Sequence, residues 1–206
     1  MHSSGFLRRS KFWNLKTRNN KMTVGINAKT KTAMKLFLPW QDEDEEKWLE
    51  IMSAEGWQLV SAVPFFYSFK KVSPKQTSIR LDYKSSWDKD YQEYLVTFYD
   101  AGWTLLTTLG NWHYFNINPK NDVVPEIYNS NRTKAQKYRR VLLGLSPLML
   151  LMVGPLVHAF DFGSHTAISG LDIALRALYL FAAAIFIYSF LRVCVKLILL
   201  KTNYRE

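Results

Sequence analysis

The stretch KWLEIMSAEGWQLVSAVPFFYSF, residues 47–69, lies without a gap over EYLVTFYDAGWTLLTTLGNWHYF, residues 93–115, when the chain is shifted by 46 positions. Leu49 falls on Leu95, Gly56 on Gly102, Trp57 on Trp103, Leu59 on Leu105 and Phe69 on Phe115, and these identities form the expected repeat core. Conservative pairs fill the intervals: Trp48 with Tyr94, Met52 with Phe98, Ser61 with Thr107, Phe66 with Trp112. A self-match at a fixed offset marks one supersecondary unit used twice.

Each copy reads helix, stop, strand, turn, strand. DEDEE at 42–46 places carboxylates in a first helical turn, where free N–H groups and the dipole favour them. That acidic run is a helix start before it is a metal site. Leu49 and Met52, or Trp48 and Ile51 with Met52, then supply a buried stripe at three- and four-residue spacing, as Tyr91, Tyr94, Leu95 and Phe98 do in the second copy. Gly56 and Gly102 stand where a left-handed residue ends a helix. Alternation locates the strands: Trp57, Leu59, Ser61 and Val63 share one face, Trp103, Leu105, Thr107 and Leu109 repeat it, and Thr77, Ile79, Leu81 and Tyr83 form another. Pro64 and Gly110 mark the reversals. With Lys35–Pro39 as an opening strand, residues 34–118 become two β-α-β-β units, an α+β domain whose antiparallel sheet carries two helices on one face. A ferredoxin-like βαββαβ core is the alternative.

The whole chain has 206 residues, 48% of them apolar, and a formal net charge of +10. That apolar share excludes a disordered chain, and the single cysteine, Cys194, excludes a disulfide framework or a cysteine-rich zinc site. The charge is unevenly spread. Residues 1–33 carry +8, residues 34–131 carry −5, and residues 132–140 carry +5. An acidic head has no electrostatic motive to bind nucleic acid. Residues 1–33 lack the apolar core of a secretory signal and read as a disordered basic tail or a start placed too early; in the first case Phe6, Phe12 and Trp13 are shallow anchors on an anionic leaflet.

From Val141 to Phe160 no side chain is formally charged, and a helix of that length crosses a hydrocarbon layer of about 30 Å. A second apolar run spans 173–195, with the uncharged centre ALYLFAAAIFIYSFL. Lys and Arg excess marks the cytoplasmic side. Arg132, Lys134, Lys137, Arg139 and Arg140 precede the first span, Arg192 and Lys196 end the second, and the loop 161–172 has neither residue type. Both termini are therefore expected inside, with those seven cations at lipid headgroups, a linker at 119–140 and a cytoplasmic tail at 196–206.

The pattern W-L-x-x-M-x-x-x-G-W-x-L at Trp48–Leu59, the second G-W-x-L at Gly102–Leu105, W-x-Y-F at Trp112–Phe115, and EIYNSNRTK ahead of two apolar runs resemble a bacterial family of uncharacterised membrane-anchored proteins. Genes of that family often lie beside those of PadR-type regulators. The resemblance runs from about Met34 to the end of the chain, and departs before Met34. It implies a cytoplasmic head on a membrane hairpin and a regulatory link, and it implies no activity.

Catalytic constellations are thin. His2, His113, His158 and His165 lack metal-ligand spacing, and the chain has no P-loop, dinucleotide fingerprint or G-x-S-x-G. His113 reads as a strand residue with a satisfied ring, and Cys194 as an inert thiol. No cofactor or metal is expected. Among the aromatic residues, Trp57 and Trp103 read as core, whereas Trp48, Trp112, Tyr67 and Tyr114 are the candidate surface for a protein partner or flat ligand. Two functions follow: a non-enzymatic membrane-tethered adaptor or sensor, or an accessory or immunity-type transporter subunit packing through Ala182–Ala184 and Gly144 or Gly154.

Overall fold

The computed structural model of the chain describes residues 29–118, 131–152 and 170–202. The expected basic tail up to residue 28, most of the linker, the second half of Val141–Phe160 and nearly all of the loop 161–172 lie outside the described residues. The element order is β1 (Thr30–Met34), α1 (Asp42–Ala54), β2 (Trp57–Val63), β3 (Phe66–Lys71), β4 (Ser78–Tyr83), α2 (Tyr91–Asp100), β5 (Thr104–Leu109), β6 (Trp112–Ile117), α3 (Asn131–Leu151) and α4 (Gly170–Thr202).

The head is α+β and runs β-α-β-β twice, but its strands form two sheets rather than one. Their orders are β1-β3-β2 and β4-β6-β5, so in each the last strand of the unit is central. The pairings resolved residue by residue, β1 with β3, β2 with β3 and β5 with β6, are all antiparallel. A register shift falls between Leu59 and Ser61 in β2 and, 46 residues on, between Leu105 and Thr107 in β5. Such a bulge bends a strand and disrupts its ladder. It sits in the outer strand of each sheet, and β2 and β5 lie against one another there as members of separate sheets.

The bulge also resets the strand's phase. Leu59 is buried as expected, but the next buried residue is Ala62, and Val63 turns outward. In β5 the expected core residue Leu105 is exposed. Alternation read from the sequence assumes an unbroken period of two, which one extra residue defeats.

The opening strand is Thr30–Met34, not Lys35–Pro39. Its mostly polar, exposed side chains give no core-facing signal, and ladder bonds to β3 hold it instead. The Lys35 N–H still donates to the Phe65 carbonyl at 2.9 Å, after which the chain turns through Leu38–Gln41 into α1. Pro39 has no N–H to offer a ladder.

Each helix packs on the central strand of its own sheet. Trp48 of α1 meets Tyr67 and Phe69 edge-on at 5.0 and 5.7 Å, and Tyr94 of α2 meets His113 and Phe115 edge-on at 5.6 and 6.1 Å. All four pairs are related by the 46-residue offset. Gly56 and Gly102 both take positive φ, +82° and +89°, where each helix stops.

By packing, the described residues divide into two compact units. One holds 29–36, 47–79 and 85–118. The other holds 37–46, 80–84, 131–152 and 170–202, so the head expected at 34–118 is not contiguous in packing. In the second unit α3 runs unbroken through the expected linker boundary at residue 140, with Ala135, Tyr138 and Val141 buried at three-residue spacing. Helix α3 packs against α4. Among the described residues, α4 is the one helix long and apolar enough to cross a membrane.

Candidate functional site

Among the described residues, a highly charged buried constellation lies in the second unit, on the first turn of α1. Asp42 opens that helix, its carboxylate almost wholly buried. Lys137 of α3 donates to Asp42 Oδ2 at 2.6 Å and to the Leu81 carbonyl at 3.3 Å. The Tyr138 hydroxyl reaches both carboxylate oxygens, at 3.0 and 2.9 Å. Lys196 of α4 donates to Asp42 Oδ1 at 3.0 Å and to the Trp40 carbonyl at 3.1 Å. Both ammoniums also stand over the Tyr138 ring, at 5.2 and 4.8 Å.

The electrostatics follow from burial and neighbours. Burial alone would raise the Asp42 pKa, but the two lysines outweigh it and hold the carboxyl below its ordinary range. Burial raises the Tyr138 hydroxyl, and Asp42 beside it raises it further, so it remains a donor. One turn along α1, Glu46 accepts from the Leu81 N–H at 2.7 Å with Arg80 at 3.9 Å. Its burial outweighs the attraction of Lys137, and with Asp42 adding repulsion its carboxyl is pushed up to about 7. An anchored carboxylate and a titrating one thus sit on successive turns of one helix.

Two of the cations expected at lipid headgroups take part in this arrangement. Lys137 is buried against Asp42, and Lys196 is spent on Asp42, Trp40 and Glu43. Arg140 lies 4.0 Å from Asp82. Arg139 and Arg192 are exposed, Lys134 is half-buried, and the Arg132 side chain lies outside the described residues. Spacing along the chain had no means of finding the constellation. Asp42 and Lys137 are 95 positions apart, and the acidic run offered a sufficient local reason for a carboxylate at a helix start.

The expected aromatic surface does not assemble. Tyr67 and Tyr114 are buried, while Trp48 and Trp112 are half-buried, Trp48 lying under the Lys35 ammonium at 4.9 Å. Of the repeat core, Leu49, Gly56, Leu59, Leu95 and Trp103 are buried. Trp57 is half-buried, with Lys31 and Lys71 over its ring at 5.4 and 4.5 Å, and Gly102 and Leu105 are exposed. His113 is buried, its Nε2 2.8 Å from the Tyr91 hydroxyl and its Nδ1 3.0 Å from the Asn111 carbonyl. Both ring nitrogens have partners.

A cavity of about 270 Å³ opens in the first unit, lined by Ser53, Leu59, Ile79, Leu106 and Asn116 among others. Asn116 Oδ1 is buried and has no hydrogen-bond partner among the described residues. A water or small ligand bearing an N–H or O–H would satisfy it. Among the described residues no group of three or more His, Cys, Asp or Glu is placed to hold a metal.

Residues 41–153 match the family model described as Protein of unknown function (DUF2812), and the chain belongs to that family. The matched stretch takes in Asp42, Glu46, Lys137 and Tyr138 and ends before Lys196. No curated protein and no solved structure matches the chain.

Proposed function

We propose that this protein is a membrane-tethered cytoplasmic adaptor or sensor, regulatory rather than catalytic, built on a duplicated head. The observation that carries the reading is the grip of Lys196 on Asp42 and on the Trp40 carbonyl. Lys196 follows directly on the apolar run 173–195, and Trp40 meets Tyr188 of the same helix edge-on at 5.3 Å. An axial or rotational displacement of α4 would pull the ammonium from a buried carboxylate, leaving Asp42 with Lys137 and Tyr138 and one countercharge fewer. Helix α1 is continuous from that carboxylate to Trp48, Leu49 and Met52, so the same element carries the grip and the sheet-packing face. In this reading Val141–Phe160 and 173–195 both cross the membrane and both termini are cytoplasmic, as the Lys and Arg distribution asks.

The transporter-subunit reading has less support. Of its two candidate glycines, Gly154 lies outside the described residues, and Gly144 faces the Tyr83 hydroxyl so closely that a Cβ there would overlap it.

Cross-linking and mass spectrometry on the native membrane-bound protein tests the proposal. Expected is one recurrent cytoplasmic partner cross-linked through head lysines, with a pattern altered by Asp42→Asn. Cross-links confined to α4 and to integral membrane proteins would overturn it in favour of the transporter subunit. A tag after Glu206 that is accessible only from outside the cell would overturn the topology.

A further inference from the structure

We propose that the cavity bounded by the end of α1, the connection at 72–77 and the bulge of β5 binds a small uncharged molecule with an N–H beside a carbonyl, held by the Asn116 amide. The cavity holds about 270 Å³, close to the lower end of the ~300–1,000 Å³ usual for small-molecule sites. One water needs only about 10–15 Å³ of such space, so a single orphaned oxygen does not account for it.

The wall is fastened before any ligand arrives. The Val72 N–H donates to the Gly56 carbonyl at 2.9 Å and the Lys75 N–H to the Ser53 carbonyl at 3.4 Å, while the buried Ser53 hydroxyl donates to the Lys75 carbonyl at 3.3 Å. These bonds pin the connection to the end of α1. Leu106 is the extra residue of the β5 bulge, between the pairs Leu105–Phe115 and Thr107–Tyr114, and it lines the cavity with Leu59 and Ile79. The duplication does not supply this space twice. The first-copy counterparts of Leu106 and Asn116, 46 positions earlier, are Val60 and Lys70, and both are exposed.

Asn116, paired with Thr104 across the β5–β6 ladder, is 9% accessible and lines the cavity, and its buried Oδ1 has no hydrogen-bond partner among the described residues. Because that oxygen has no bond to lose, the carboxamide can turn about χ2, a broad and roughly twofold torsion, and present it to the cavity. A carboxamide carries an acceptor and an N–H donor on one edge. The complement is an N–H beside a carbonyl, as in a lactam, a cyclic imide or a pyrimidine base. Pairing relieves the desolvation that the orphaned oxygen now bears. Charge is selected against: among the lining residues there is no Asp or Glu, and the lining cation, Lys75, is exposed. A charged ligand would lose water there without a buried countercharge. The site lies wholly in the first unit, so the inference goes beyond the tethering reading and does not depend on it.

The test is methyl NMR of the full chain in detergent micelles, titrated with δ-valerolactam and, separately, with its N-methyl derivative, which keeps the carbonyl and lacks the N–H. Expected are saturable shifts of the Leu59, Ile79 and Leu106 methyls with the lactam, and affinity weaker by about tenfold or more for the N-methyl compound. Asn116→Leu should weaken lactam binding by a similar factor, whereas Lys70→Leu at the first-copy counterpart should leave it unchanged. No saturable shift at those methyls, or equal affinities for the two probes, overturns the site. Unchanged lactam binding by a folded Asn116→Leu chain overturns Asn116 as the anchor, and tighter binding of cyclohexanecarboxylate overturns the uncharged class. The two-probe comparison uses the unaltered chain, so it decides even where Asn116→Leu does not fold, and none of these outcomes bears on the membrane topology.

Discussion

The two β-α-β-β units share a strand order, a bulge position and a helix-stopping glycine, yet burial separates them residue by residue. Asp42 opens α1 as a buried carboxylate gripped by two lysines, whereas Asp88, 46 positions later, is exposed. Glu46 is buried and titrates near neutrality, and its counterpart Gln92 is an exposed amide. The first hairpin turns on Pro64–Phe65 with apolar side chains outward, the second on Gly110–Asn111. A common backbone therefore has only one copy whose first turn meets the apolar helix and only one with a greasy tip. Shared elements set the fold, and the departures from the shared pattern are where the two copies differ in burial and charge.

The largest test of this contrast is Asp42→Asn against Asp88→Asn. Removing one partner of a buried ion cluster costs about 3–5 kcal/mol, because the lysines are left buried without their countercharge. The exposed counterpart should stay within about 0.5 kcal/mol. Chemical denaturation of the full chain in detergent micelles, read by tryptophan fluorescence, distinguishes them, and equal losses would break the comparison.

Next in size is Glu46→Gln, which gives the first unit the amide already present in the second. A carboxyl raised from 4.5 to about 7 keeps its proton longer in the folded chain than in the unfolded one. Stability attributable to Glu46 therefore falls as pH rises from 4.5 to 7, and the full cost is present above that window. Glu46→Gln should flatten this fall and stabilise the protein at pH above the window by about 2–3 kcal/mol. Asp42 has the opposite sign, its contribution being lost as pH falls below the ordinary carboxylate range. Denaturation midpoints across pH check both slopes.

A smaller difference separates the glycines. An alanine at either Gly56 or Gly102 must hold positive φ, but at Gly56 its Cβ would lie 2.7 Å from the Val72 carbonyl oxygen, whereas at Gly102 it meets only the end of the Ile117 side chain at 3.3 Å. Gly56→Ala should cost about 2–3 kcal/mol and Gly102→Ala about 1 kcal/mol in the same denaturation series. Smallest is Phe65→Gly, which relieves the strained turn and should stabilise by about 0.5–1 kcal/mol. A loss of stability there would mean that Phe65 is held by packing.

Local periodicity and capping were enough for the helices Asp42–Ala54 and Tyr91–Asp100, the glycine stops, the hairpins and the long apolar helix. Each depends on residues within a few positions of one another. The chain alone did not fix the strand phase beyond Leu59, because one inserted residue reverses which side chains face inward, nor did it show that Leu105 is exposed. Nor did it fix the edge strand Thr30–Met34, whose exposed side chains carry no hydrophobic signature and whose place comes from backbone pairing with β3.

The sequence by itself determined that a helix–strand–strand unit occurs twice and that a helix with an uncharged centre follows, since composition and spacing dictate those locally. Only the tertiary structure decided that Lys137 and Lys196 converge on Asp42. Which charges meet across 95 and 154 positions depends on how helices pack, and a buried carboxylate takes whichever cations that packing brings within reach.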